Sequence, residues 1–194
     1  MRVAPAELRK LDLEVHTFLA DVPLEDVSAV DLAGGGEGRG VADLRALLAA
    51  LDLRSASRAT RFLFGLRLLL GRLFGWDREQ VELPAESYIH RLTPAQRARS
   101  SVVPGTPSGG FRVVYELEDE ALSEIINATV HAFLCYALVP TATGYRLYWA
   151  VYVKPVSRFT SLYMAAIEPF RRFIVYPSIL RRIERAWAAK YGTP

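Results

Sequence analysis

The 194-residue chain is long enough for one domain that buries about 70% of its unfolded surface, and 51% hydrophobic against 23% charged residues exclude a disordered polymer. A net charge of +3 with a pI near 9.1 is too slight and too dispersed for a nucleic-acid-binding surface. A single cysteine, Cys135, excludes an internal disulfide and a multi-cysteine metal site and fits a reducing compartment.

Residues 1–12 read as a short lead-in without the apolar core of a secretion signal, with one helical turn over 5–11. A bent strand or a hairpin is expected across 15–19 and 27–32, broken at Pro23. Gly34 to Gly40 has no Walker lysine followed by Ser or Thr and no dinucleotide-binding spacing, so it reads as a flexible connector.

A helix pair is expected over 41–76. In the first helix, 41–51, Leu44, Leu47, Leu48 and Leu51 share one stripe. In the second, 57–76, Phe62, Leu66, Leu69, Leu70 and Leu73 lie beside a basic face of Arg54, Arg58, Arg61 and Arg72. That pattern fits a core-facing helix with solvated arginines better than a helix lying on an anionic membrane. The apolar part, 62–76, carries Arg67 and Arg72 and is too short to span a bilayer, so the expected location is the cytoplasm.

Short strands are expected at 81–83 and 88–92. Thr93-Pro-Ala-Gln96 has the spacing of a helix start, with a Thr cap, Pro at the first helical position and Gln three residues after the cap. The turn-rich loop 104–110 then leads into a strand meander over 111–156.

The meander reads as three strands, 111–118, 124–139 and 145–156, the last two joined by a hairpin loop over Pro140-Thr-Ala-Thr-Gly144. With Val139 facing Tyr145, odd-numbered residues of both long strands share a face. Asn127, Thr129, His131, Phe133 and Cys135 then stand beside Leu147, Trp149 and Val151. Large apolar surface with a few small polar groups is how ligand pockets are lined. The even face carries Arg146 and Lys154 and suits water.

The tail, 159–190, changes to a helical period. Tyr163, Ala166, Ile167, Phe170, Phe173 and Ile174 form one stripe; Ile179, Leu180, Ile183 and Trp187 form a second, rotated by about a third of a turn at roughly 100° per residue. Pro177 sits at the change, which predicts segments 159–175 and 177–190 with a bend or break between them, and Pro169 should kink the first. A meander of antiparallel strands handing over to an amphipathic helix gives an α+β fold, a curved sheet closed by its C-terminal helix.

Catalytic signals are sparse. His131 reads as a histidine hydrogen-bonded within the sheet rather than a general base, and His16 and His90 share no metal-ligand spacing with it. Cys135 reads as inert packing. Glu116, Glu118, Asp119 and Glu120 read as an acidic turn rather than an acid–base pair. Asn127-Ala-Thr129 fits a glycosylation sequon but lies in mid-strand. Arg171, Arg172, Arg181, Arg182 and Arg185 read as a solvated face before a membrane or partner contact. The chain lacks a Ser–His–Asp order, HExxH, a nucleotide loop and CxxC, which argues against an enzyme; no cofactor, metal or nucleic acid is expected.

Three segments carry a resemblance: Asn127-Ala-Thr-Val-His131, Tyr148-Trp-Ala-Val-Tyr-Val-Lys-Pro155 and Ile167-Glu-Pro-Phe-Arg-Arg-Phe-Ile-Val-Tyr-Pro177. They resemble a bacterial family of unknown function placed in the START-like (SRPBCC, helix-grip) superfamily, most clearly over 111–187 and more weakly over 41–77. The resemblance implies a single helix-grip domain with a cavity between sheet and C-terminal helix. Superfamily members commonly hold lipids, polyketides or steroids, and some are cyclases; no catalytic residues carry over. The Tyr176-Pro177 step departs from the single long helix of the superfamily.

The first functional expectation is a binder of a hydrophobic small molecule. Its cavity candidates are Tyr115, Asn127, Thr129, His131, Phe133, Cys135, Leu147, Trp149, Val151, Tyr163, Phe170 and Phe173. The second is a cyclase- or hydratase-like enzyme using His131, Tyr115 or Tyr152, and Asn127 in the same cavity. The third is a module that contacts an anionic membrane or a partner through the basic helix 57–76 and the arginine-rich tail.

Overall fold

The computed structural model describes residues 1–51, 86–126, 130–156 and 160–192, and for 161–163 the backbone alone. The expected basic helix at 57–76, the strand at 81–83, and Asn127 and Thr129 lie outside the described residues. The described residues form six strands: β1 (Leu24–Ala33), β2 (Pro107–Ser108), β3 (Phe111–Glu116), β4 (Glu120–Ile126), β5 (Val130–Thr141) and β6 (Gly144–Pro155). The helices are α1 (Pro5–Arg9), α2 (Val15–Phe18), α3 (Val41–Ala50), α4 (Pro94–Arg99), α5 (Thr160–Phe170) and α6 (Tyr176–Tyr191). A 3₁₀ turn occupies Tyr88–Arg91, and a π-helical turn, Arg171–Val175, joins α5 to α6.

The strands form a curved, open, antiparallel sheet in the order β1-β6-β5-β4-β3-β2. Strands β2 to β6 neighbour one another in chain order, as a meander does, and β1 adds to the far edge against β6. The expected strand over 124–139 is corrected to two: β4 pairs antiparallel with β5, with Ile126 opposite His131 and Glu120 opposite Ala137. Both halves are apolar and β-prone, so the reversal between them left no break in periodicity to read.

The β5–β6 register is also corrected, by one residue. Val139 faces Arg146 and Pro140 faces Tyr145, because the hairpin closes on Ala142 and Thr143 with Thr141 opposite Gly144. Pro140, expected in the loop, stands in the strand. Beyond Ala137, β5 has lost its β4 neighbour, and a proline is tolerated where no ladder bond is needed.

Two short segments change type. Residues 15–18 are helical, with the Leu19 N–H donating to the Val15 carbonyl and both side chains buried in the core. Residues 88–91 form the 3₁₀ turn, capped by the Ser87 hydroxyl accepting from the Ile89 N–H. Apolar runs this short have no decisive period. By contrast α3 matches its expected span, and α4 has the expected capping box, with Thr93 Oγ1 accepting from Gln96 N–H and Gln96 Oε1 from Thr93 N–H.

The tail keeps a helical backbone through Pro177. Proline offers no N–H to the carbonyl four residues back, and the turn before it widens: the Tyr176 N–H donates to the Arg171 carbonyl, five residues away. The expected break is therefore a change of helical pitch at 171–175, and it rotates the two apolar stripes relative to each other.

Both faces of the sheet are covered. On one, here the amino face, Leu8 of α1, Val15 of α2, Leu19 and Tyr88 pack with Val27, Ala29, Tyr115, Leu122, Phe133, Tyr148 and Tyr152. On the other, the helix face, Leu44 and Leu47 of α3 and Leu180, Ile183 and Trp187 of α6 pack with Leu32, Leu138, Tyr145 and Leu147. Further along that face Met164 of α5 meets Val130 and Val153. The glycine segment after β1 is tied down: the Gly34 N–H donates to the Thr143 carbonyl and the Gly35 N–H to that of Tyr191. Gly35 has φ +104°, and a Cβ there would stand 3.0 Å from the Trp187 ring. No helix among the described residues is long and apolar enough to cross a membrane.

Candidate functional site

The register separates the residues expected in one cavity. Strand partners point to the same face, so the pairs Cys135–Ala150, Phe133–Tyr152 and His131–Lys154 carry His131, Phe133 and Cys135 to the amino face, where Tyr115 joins them. Leu147, Trp149 and Val151 point to the helix face. Phe170 is half-buried, Phe173 is 69% exposed, and Tyr163 lies on α5 with its side chain outside the described residues.

The amino face carries a closed polar core. Glu124 accepts hydrogen bonds from the Tyr88 N–H (3.0 Å) and the Ser87 hydroxyl, and its Oε2 lies 2.9 Å from His131 Nε2. Burial pushes the Glu124 carboxyl up, but the bonds from His131, Ser87 and Tyr88 more than offset it and hold it below the usual carboxylate range. Glu120 accepts from the Tyr115 hydroxyl (2.7 Å) and the Val15 N–H (3.1 Å), and burial raises it to about 7.

On the opposite face Glu116 takes Arg45 of α3 and the Ser101 hydroxyl. The expected acidic turn holds for Glu118 and Asp119, which are exposed between β3 and β4, and is corrected for Glu116 and Glu120, each 1% exposed at the strand ends. With Glu124 these carboxylates fasten α3, α2 and the 3₁₀ turn to the sheet. His131 and Tyr115 are as thoroughly enclosed, and burial raises the Cys135 thiol well above its ordinary value, so it stays protonated. Among the described residues no group of three or more His, Cys, Asp or Glu side chains could hold a metal ion.

Among the described residues, cavities open at the surface in three places of note. One of about 530 Å³ lies beside α2, lined by Arg9, His16, Leu19, Asp21, Leu24 and Tyr152 among others. A second, about 330 Å³ and mainly polar, lies by Tyr88, His90, Arg91 and Lys154. The third, about 260 Å³, has the most apolar lining and lies between the sheet and the C-terminal helix.

That cleft follows from strand alternation. Asp26, Ser28 and Val30 point to the helix face of β1, and α6 crosses over them with Tyr176, Pro177 and Leu180. Arg2, Arg172, Arg181 and Glu184 stand at its rim. Arg171, 8% exposed, points inward: its guanidinium lies 3.3 Å from Asp26 Oδ2 and 3.5 Å from Glu25 Oε1, and it donates to the Tyr176 hydroxyl at 3.3 Å. Burial raises that hydroxyl to about 12 despite the neighbouring guanidinium. The cleft offers an apolar floor of Val30, Pro177, Leu180 and the Tyr176 ring beneath a mostly cationic rim, an arrangement suited to binding. Sequence reasoning missed it because β1 and α6 are about 150 residues apart; its only local trace is the alternation of Asp26, Ser28 and Val30.

A family model described as "Protein of unknown function (DUF2867)" matches residues 18–178. Comparison with curated proteins finds no match, and comparison with solved structures finds none.

Proposed function

The chain belongs to the DUF2867 family, whose description states no function, and from its own residues we propose that it binds a hydrophobic small molecule, such as a lipid or polyketide, in the cleft between β1 and α6. The observation that carries this reading is the composition of that cleft: an apolar floor of Val30, Pro177 and Leu180 with Arg2, Arg172 and Arg181 above it. Binding sites for small molecules are mostly apolar with a few placed polar groups. Arginines at the mouth favour a ligand with an anionic end, since a guanidinium pairs with a carboxylate or phosphate through two parallel hydrogen bonds.

The START-like resemblance of the C-terminal segments supports the same reading, because that fold keeps its ligand between a curved sheet and its last helix. Here the centre of that interface is filled by Leu147, Leu180, Ile183 and Trp187, so the ligand is small and sits toward the β1 edge. The enclosure of His131 and Tyr115 favours binding over catalysis at that pair.

Native mass spectrometry of gently purified protein tests the proposal, together with thermal shifts against medium-chain carboxylates. A retained apolar molecule, or a shift abolished by Val30→Trp, is the expected result. No retained mass and no shift, or a shift that Val30→Trp leaves intact, would overturn it.

A further inference from the structure

The outward side of α5 and the π turn is apolar. Ala165, Ala166, Pro169, Phe173 and Ile174 are all exposed, Phe173 at 69% and Ile174 at 43%. The expected stripe should have turned such residues inward. The inward positions are held instead by Met164 and Arg171, each under a tenth exposed. A helix that buries an arginine and presents a phenylalanine has an apolar face that no described residue covers.

We infer that this strip is a docking face for an anionic lipid bilayer. The charge around it selects that occupant. From Thr160 to Tyr191 the chain has five arginines and one lysine against two glutamates, Glu168 and Glu184. Arg172 stacks on the Phe173 ring at 5.3 Å, with Glu168 3.8 Å from its guanidinium, and the exposed Arg181 and Arg185 continue along α6. An aromatic knob flanked by cations matches the boundary between acyl chains and anionic headgroups. A second copy seated two-fold on the same strip would bring these arginines against their own counterparts, because such an interface is self-complementary.

The apolar strip is distinct from the cleft, since neither Phe173 nor Ile174 lines it, although Arg172 and Arg181 border both. Co-sedimentation with phosphatidylcholine vesicles, with and without phosphatidylglycerol, tests it. The whole chain is expected to sediment with the anionic vesicles, less so as salt rises, and not with phosphatidylcholine alone. The double variant Phe173→Ser/Ile174→Ser should lose about tenfold or more in binding while keeping its unfolding temperature and its response to cleft ligands. Ala165→Glu, which sets a carboxylate in the same strip, should reproduce the loss. Failure of the whole chain to sediment, or undiminished binding by both variants, overturns the inference. So does a wild-type dimer that the double variant turns into a monomer without any vesicle binding. Vesicle binding in a protein that shows no cleft-ligand response would sink the cleft reading and leave this one standing.

Discussion

Glu124 and His131 meet at 2.9 Å beside the Tyr88 ring, with neither side chain more than 1% exposed. The contact joins β4 to β5 and, through the Tyr88 N–H and the Ser87 hydroxyl, joins both strands to the 3₁₀ turn. Truncating Glu124 to alanine leaves three donors without an acceptor in an enclosed site. The expected loss is about 3–5 kcal/mol by urea unfolding. Glu124→Gln keeps an acceptor and should lose less. A double-mutant cycle with His131→Phe should show a coupling above about 0.5 kcal/mol. Glu124→Ala unfolding at the wild-type midpoint would mean that the turn is held by other contacts.

Glu120, by contrast, gives the fold a pH dependence. Burial raises its carboxyl from 4.5 to about 7, partly countered by the Tyr115 hydroxyl and the Val15 N–H. Between those two values the folded chain holds a proton that the unfolded chain has released. Stability from this group is therefore complete below the unfolded value and declines as pH rises toward 7, by roughly 3 kcal/mol in all. Glu120→Gln, which cannot ionise, should gain on the wild type steadily as pH goes from acid to mildly basic. Urea midpoints for the two proteins that stay parallel over that range would refute the assignment.

Much of this architecture is legible in the sequence where a period runs long enough. The leucine stripe of α3, the capping box at Thr93 and the change of phase near Pro177 all survive, because each rests on local stereochemistry. Failures came where the deciding contact is remote. Val15 and Leu19 lie on one helical turn because the amino face of the sheet receives both. The hairpin register depended on whether Pro140 could enter a strand, and that turns on where β4 ends, which the local sequence does not show. One residue of slip moved Leu147 and Trp149 to the opposite face from His131, and the cleft appeared instead where β1 meets α6.

Gly144 shows how tightly that hairpin is set. Its φ is +149°, and a Cβ there would stand 2.2 Å from the Leu32 carbonyl oxygen and 2.8 Å from the backbone of Gly34. Alanine must push the end of β1 away from β6 as well as strain its own backbone. Gly144→Ala should cost about 2 kcal/mol or more, read as a lower unfolding temperature. Alanine at Gly36, where nothing lies within 4 Å of the Cβ position though φ is +65°, should cost less. Equal losses at the two positions would show that backbone conformation, rather than the close approach of β1, sets the effect.

Asp26 and Arg171 face each other at 3.3 Å with side chains 7% and 10% exposed, under the floor of the cleft. Two charges held this far from water are expensive to separate and inexpensive to remove together. Arg171→Met alone leaves the Asp26 carboxylate without its cation, and about 3–5 kcal/mol should be lost. Adding Asp26→Asn removes the stranded charge, so the double variant should recover most of that loss. The Tyr176 hydroxyl, which accepts from the same guanidinium, keeps its ring in the cleft wall in either case. A strictly additive cycle would mean that water already reaches the pair, and the cleft would then be deeper and wetter at its base than its apolar walls imply.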